Sequence, residues 1–402
     1  MELELLERRR EKDGTESFLT LNLGPQHPST HGVLRVVLEL DGETVVKATP
    51  DIGYLHTGIE KTLENKTYTQ AITLTDRMDY LAPLSNNLAF CLSAEKLLDL
   101  EIPARAQVVR VILTELTRLN SHLVWLGTHA IDMGAMSMLL YAFREREMIL
   151  GIYELVSGQR MMSSYFRVGG LADDIPPDFA GRVREILKVF PSRIDDYEGL
   201  LAENPIWRER TRGIGKVDIA TALNLGLTGP ALRASGLAYD CRKASPYTGY
   251  DRYQFDIPTE TEGDVYARYR VRMREMRESL RIIEQATGDI PEGDFMARKR
   301  GVTPPPKSAV VTEMEALIHH FKWVSEGFAV PAGEAYVPIE SPKGEMGFYM
   351  VSDGGVQPYR AKCRPPCFVN LSALPSLVVG RLVADVVAVI GSLDIVLGEI
   401  DR

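Results

Sequence analysis

The run PARAQVVRVILTELTRLNSHLVWL (103–126) starts at a proline and then places Val108, Val109, Ile112, Leu116, Leu119 and Leu123 at three- and four-residue steps, the period of an α-helix. Helical periods hold from about Met78 to Glu284, with further helices expected over Leu139 to Gly158, Asp178 to Leu201 and Val265 to Ala286. The arginines spread around the last of these read as a solvated or partner-facing surface. Outside this helical middle the pattern changes. SFLTLNL (17–23) and VLRVVLEL (33–40) read as strands, and Asp41-Gly42 before Glu43 to Ala48 signals a hairpin. Asp289 to Lys307, with Pro291 and Pro304-Pro305-Pro306, reads as a linker. A helix over Ser308 to Ser325 follows, then a strand region turning at Asp353-Gly354-Gly355, then a final helix from about Leu374. The expected fold class is α+β. It comprises a β-rich domain over 1–75, a helical bundle over 76–290 and a mixed α/β region over 291–402.

A length of 402 residues suggests two or three compact units at roughly 150 residues each. Apolar residues at 45% and charged residues at 25% exclude disorder or a coiled coil as the main state. The 46 basic and 55 acidic side chains leave a net charge of -9, which opposes a grip on a nucleic-acid backbone, so no nucleic-acid partner is expected. Cys91, Cys241, Cys363 and Cys367 are too scattered for a disulfide scaffold and fit a reducing cytoplasm. Met1 to Lys12 carries both signs of charge and lacks a signal-peptide core. The longest apolar stretch, Val378 to Leu397, is interrupted by Arg381, Asp385 and Asp394, so membrane association is expected only through a partner.

Three polar groups stand out. GPQHPSTHG (24–32) lies between two strands, and its prolines keep His27 and His31 on a constrained turn. Two histidines four apart bind zinc when a helix aligns them; here no helix forms and no Glu or Cys completes a set. Turn chemistry with a hydrogen-bonded histidine is the plainer reading. RMDY (77–80) opens the helical part, with Asp79 reading as a first-turn acid. THAIDMG (128–134) interrupts an apolar run, and Asp132 there needs a histidine or arginine partner wherever it is buried. His56, His319 and His320 read as core or surface residues. The spacings of Gly213-Ile214-Gly215 and Asp353-Gly354-Gly355 do not make a phosphate cradle, and Cys363 and Cys367 do not have knuckle spacing. No metal site of the chain's own is expected.

GPQHPSTHG (24–32), DIGYLHTG (51–58), RMDY (77–80), SDGG (352–355) and SLDIVLGEIDR (392–402) together resemble the D-subunit family of respiratory complex I, the proton-translocating NADH-quinone oxidoreductase, from about residue 18 to the end. That family is similar in turn to the large subunit of nickel-iron hydrogenases. The regions that would hold the metal there, the GPQHPSTHG loop and the terminus around Asp394, contain no cysteine. What remains, the resemblance implies, is a cavity for a quinone headgroup, ubiquinone or menaquinone. It would lie between Tyr80 and His31, with Asp132 beside His31 and Thr128 near the site.

The two quinone oxygens each need a proton on two-electron reduction, and a phenol and an imidazole supply a weak and a ready donor. An ionised Asp132 would hold His31 protonated until electrons arrive. Loss of that proton would weaken the pairing, a local charge change that a distant pump could sense. Electrons would come from a [4Fe-4S] cluster in a neighbouring subunit, with Arg77 close to it. The resemblance also implies the cluster-bearing B subunit, the C and I subunits and the membrane H subunit as partners, a place on the cytoplasmic side of the inner membrane, and a chain inactive alone. In RMMSSY (160–165), Met162 stands where many members carry a histidine against the cluster. Two other readings compete: the large subunit of an energy-converting hydrogenase, and an assembly scaffold without chemistry.

Overall fold

The computed structural model describes residues 5–8 and 19–402; residues 17 and 18 of the first expected strand and most of the charged N-terminal stretch lie outside them. Strands β1 (Leu5–Arg8), β2 (Leu19–Leu23), β3 (Arg35–Asp41) and β4 (Thr44–Asp51) form an antiparallel sheet in sequence order. Strand β3 alternates half-buried and buried residues, so Val36, Leu38 and Leu40 share one face. That face does not close a core by itself. Its residues pack with Leu371, Leu374, Val386 and Ile395, so the N-terminal sheet and the C-terminal helices share one hydrophobic core across the sequence.

The Ala104–Asp132 helix is the axis of the molecule. Every residue from Val108 to Gly127 is buried. Helices Pro83–Leu98, Met136–Ser157, Val265–Gly288 and Val383–Leu393 surround it, and Phe179–Leu201 packs on two of these. An axis covered on all faces has no solvent for its polar residues, so Arg110, Glu115, Arg118 and His122 must find partners inside the protein.

A short ribbon, β5 (Phe166–Arg167) and β6 (Gly170–Leu171), follows the second long helix. The C-terminal sheet, β7 (Gly333–Ser341), β8 (Gly344–Ser352) and β9 (Arg360–Arg364), packs on the Pro83–Leu98 helix. The fold is α+β, as the sequence indicates.

Three local expectations need correction. The helix expected over Ser308 to Ser325 is two, Lys307–Thr312 and Met314–Ser325, separated at Glu313 in extended backbone after the β-branched Val310-Val311-Thr312. The final helix is three, Leu374–Val378, Val383–Leu393 and Leu397–Asp401, interrupted at Gly380 (φ 78°) and Asp394 (φ 54°), both left-handed. Finally, Arg268 and Arg272 on the Val265–Gly288 helix are not solvated. Both are buried and donate to Ser392, Arg268 to its hydroxyl at 3.0 Å and Arg272 to its carbonyl at 2.8 Å.

Candidate functional site

The GPQHPSTHG loop is a turn built by its own side chains. Pro28–Thr30 form a short 3₁₀ turn that His27 caps, its Nδ1 accepting from the Ser29 N–H at 3.2 Å. The Thr30 hydroxyl donates to the His27 carbonyl at 2.7 Å. His31 then takes a left-handed backbone (φ 52°), a costly state for a residue with a Cβ. The turn packs against the Val383–Leu393 helix, which ends at Asp394. His31 Nε2 is therefore sealed from solvent and has no hydrogen-bond partner among the described residues.

Asp132 ends the axial helix, one turn after Thr128. The Thr128 hydroxyl is spent on its own helix, donating to the carbonyls of Val124 at 2.9 Å and Trp125 at 3.2 Å. Asp132 is half-buried, and its Oδ1 accepts from the Ser29 hydroxyl at 2.7 Å. Two expectations change here. The hydrogen-bonded partner of Asp132 is Ser29, although its charge still acts on His31. Burial lowers the His31 pKa by more than Asp132 and Asp394 raise it, and Lys343 lowers it further, so the resting imidazole is held toward its neutral form.

Tyr80 precedes the Pro83–Leu98 helix. It is half-buried, and its hydroxyl has no hydrogen bond among the described residues. Burial raises its pKa, and adjacent Asp79 raises it further. Asp79 is not a solvent-facing first-turn acid, because the helix begins only at Pro83. The residue is 1% exposed, its Oδ1 accepts from the Leu81 N–H at 3.1 Å, and its Oδ2 lies 3.1 Å from the Lys343 ammonium.

Lys343 sits in the tight turn between β7 and β8, fully buried. Its Nζ donates to the Ser121 hydroxyl at 2.6 Å and lies 3.8 Å from Asp394 Oδ2. Burial opposes its charge, yet Asp394 and Asp79 outweigh burial and hold the ammonium above its usual pKa. Glu399, on the last helix, is completely buried. Burial, with Asp79 nearby, pushes its carboxyl up to about 8. That helix lies directly on the RMDY backbone: a Cβ on Gly398 would come within 2.6 Å of the Met78 carbonyl oxygen, so glycine is required there. The charges of Lys343 and Asp394 act on both His31 and Tyr80.

Arg77 and Met162 fall on a different pair of segments. Arg77 is exposed and donates to the Thr73 carbonyl. Its neighbour Asp76 accepts from the Ser164 hydroxyl and so ties the RMDY turn to RMMSSY. Met162 is half-buried in left-handed backbone (φ 54°).

Sequence reasoning did not assign Lys343, Asp394 or Glu399 to the site. The available signal was charge inside apolar sequence, since Asp394 interrupts the longest apolar stretch and Glu399 follows five residues later. Nothing local distinguishes Lys343. A cavity of about 840 Å³ is lined by Arg167, Phe295, Trp323 and neighbours, and by neither Tyr80 nor His31. No cluster of three or more metal-ligating side chains occurs among the described residues.

Residues 132–402 match the family model described as "Respiratory-chain NADH dehydrogenase, 49 Kd subunit". The chain belongs to that family. It is 61% identical over 392 residues to a protein of Chloroflexus aurantiacus named as a D subunit of NADH-quinone oxidoreductase, covering 97% of this chain and 95% of that one. A Solibacter usitatus protein named as a D subunit of the same enzyme is 61% identical, with 96% and 94% covered. The Trichlorobacter lovleyi D subunit is 57% identical, with 96% and 99% covered. The chain is thus a complex I subunit and a component of an oxidoreductase. No helix among its described residues is long and apolar enough to cross a membrane.

Proposed function

We propose that this chain forms much of the quinone-reduction site of a proton-translocating NADH-quinone oxidoreductase, on the cytoplasmic face of the membrane. The observation that supports the reading is that the same buried charges, Lys343 and Asp394, act on both His31 and Tyr80, with His31 Nε2 unpartnered among the described residues. On this reading neighbouring subunits complete the walls of the site. The B, C and I subunits and the membrane H subunit are the partners this reading requires.

Electrons would come from a [4Fe-4S] cluster in the adjoining subunit, near Arg77 and Met162. The quinone headgroup would lie between Tyr80 Oη and His31 Nε2, the latter closed off in the isolated chain and opened in the assembled complex, and each would give a proton to one ring oxygen as charge develops there. Tyr80, with its raised pKa, releases a proton only to a strongly basic oxygen and so guards against premature protonation. His31 must first take up a proton from water, against its burial and favoured by the field of Asp132 and Asp394; its later return to neutrality leaves Asp132 resting on Ser29. Thr128 is on the same helix face as Asp132 and borders the site.

Replacing Tyr80 with Phe, and His31 with Ala, in the assembled complex tests this reading. Each should slow quinone reduction by about 10²-fold or more with assembly intact. Near-normal rates would leave the chain a scaffold, and nickel in the purified complex would favour the hydrogenase reading. Arg77 and Met162 face the cluster on this reading. A methionine cannot titrate, so the cluster potential should be lower and less dependent on pH than a histidine neighbour would make it. A redox titration with the full pH slope of a coupled proton would reject that role for Met162.

A further inference from the structure

Behind Tyr80 the protein buries more negative charge than it can neutralise. Asp79, Asp394 and Glu399 are 1%, 4% and 0% exposed, and the cations acting on them are Lys343 and Arg272. Arg272 is partly committed elsewhere, donating to the Ser392 carbonyl at 2.8 Å and lying over the Trp125 ring. Three buried carboxylates beside two cations leave one charge in excess, and an excess buried carboxylate takes up a proton rather than remain ionised. The hydrogen bonds indicate which one. Glu399 has no charged donor: the Cys367 thiol and N–H alone approach it, neither in full hydrogen-bond geometry, whereas Asp79 faces Lys343 at 3.1 Å and Asp394 faces it at 3.8 Å. The other titratable groups facing Glu399 are the buried thiols of Cys363 and Cys367, which burial keeps protonated well above neutral pH.

We propose that Asp79, Lys343, Asp394 and Glu399 form a proton store whose loaded member is Glu399 and which refills Tyr80 after each quinone reduction. The proposal rests on the quinone-site reading above. When Tyr80 has given its proton to the reduced quinone, the phenolate adds a third negative charge, beside those of Asp79 and Asp394. The Glu399 carboxyl then loses its proton, Tyr80 Oη regains one, and the excess charge moves from phenolate to carboxylate. Lys343, adjacent to Asp79 and acting on Tyr80, Asp394 and Glu399 alike, holds the group together whichever member is charged. Reloading comes from water once quinol has left. Supporting values agree: burial holds Asp79 above the usual carboxylate range, and Glu399 is pushed up to about 8, where a carboxyl is loaded at neutral pH and can still discharge.

The test uses the whole complex. Glu399→Gln keeps the shape and removes the exchangeable proton, and Glu399→Asp restores a carboxyl. Wild-type quinone reduction should decline above about pH 8 as the store empties. The Gln variant should run about tenfold slower with that decline abolished, and the Asp variant should recover most of both. Redox-difference infrared spectra of the wild-type complex should show a protonated Glu carboxyl that changes on quinone reduction and is absent from the Gln variant. A Gln variant with wild-type rate and pH profile would overturn the proposal. So would the absence of any protonated Glu signal in the wild-type complex at neutral pH, a result that can be read even where the variant fails to assemble. If Tyr80→Phe also leaves quinone reduction intact, the site reading itself has failed; if Tyr80→Phe abolishes it while Glu399→Gln does not, only the store has failed.

Discussion

The interior holds two ionic groups of opposite character. The first joins the axial helix to the Val265–Gly288 helix and β7. Glu115 accepts from Arg118, Arg242, Tyr250 and Ser279, Asp240 from Arg242, Glu275 from Arg233 and His122, and Glu340 from Arg233 and the Cys241 N–H. No carboxylate oxygen in it lacks a partner among the described residues. The second group, around Lys343, leaves Asp79 Oδ2, Asp394 Oδ2 and His31 Nε2 without a directed hydrogen bond, and Glu399 is approached only by the Cys367 thiol and N–H. Both groups are buried. A saturated group has one low-energy charge state and fixes the fold. An unsaturated one can change its charge at modest cost, which proton chemistry at a quinone requires.

The sharpest way to break this contrast is to remove one cation from each group. Arg233→Met should cost about 3–5 kcal/mol of stability, because it strands Glu275 and Glu340 in the interior. Lys343→Met should cost clearly less, because its carboxylates can take up protons, while quinone reduction in the complex fails. Urea unfolding of the full chain gives both values. Equal losses would mean that the two groups do not differ in kind.

A smaller effect separates them by pH. Burial alone would raise Glu115 and Glu275, but the arginines overcome it and hold both below the ordinary carboxylate range. Their stabilisation is complete above the unfolded value, about 4.3, and drains as pH falls through the lower folded values, in the acid range. Glu399 has the opposite sign. Folded, it keeps a proton up to about pH 8, while the unfolded chain has lost that proton above about 4.3. Stability should therefore decline as pH rises between these values and level off beyond them. Glu399→Gln should flatten this limb and leave the acid limb unchanged. Unfolding midpoints at acid, neutral and mildly alkaline pH check this, and an unaltered slope would mean that Glu399 is ionised in the folded protein.

Much of the fold is legible from local sequence, because long helices and a hairpin declare themselves by period and by Asp41-Gly42. Their junctions are less so. The break at Asp394 depends on a left-handed residue that no glycine announces, and the helix split at Glu313 has only a β-branched run as its signal. Arg268 and Arg272 look like surface because periodicity cannot reveal that the C-terminal helices return to cover them. The same holds at the site. GPQHPSTHG, RMDY and Asp132 are visible as polar interruptions, whereas Lys343 is a single lysine in a Pro-Lys-Gly turn. Its role arises only when β7 and β8 bring it against residues 79 and 394, hundreds of positions and tens of positions away.

Whether His31 and Tyr80 hold the quinone between them is decided by a structure of the assembled complex with a quinone analogue bound and the surrounding side chains resolved. The headgroup should lie with its two oxygens about 3 Å from Tyr80 Oη and His31 Nε2. A headgroup held by other residues, with Tyr80 and His31 both out of reach, would contradict this assignment.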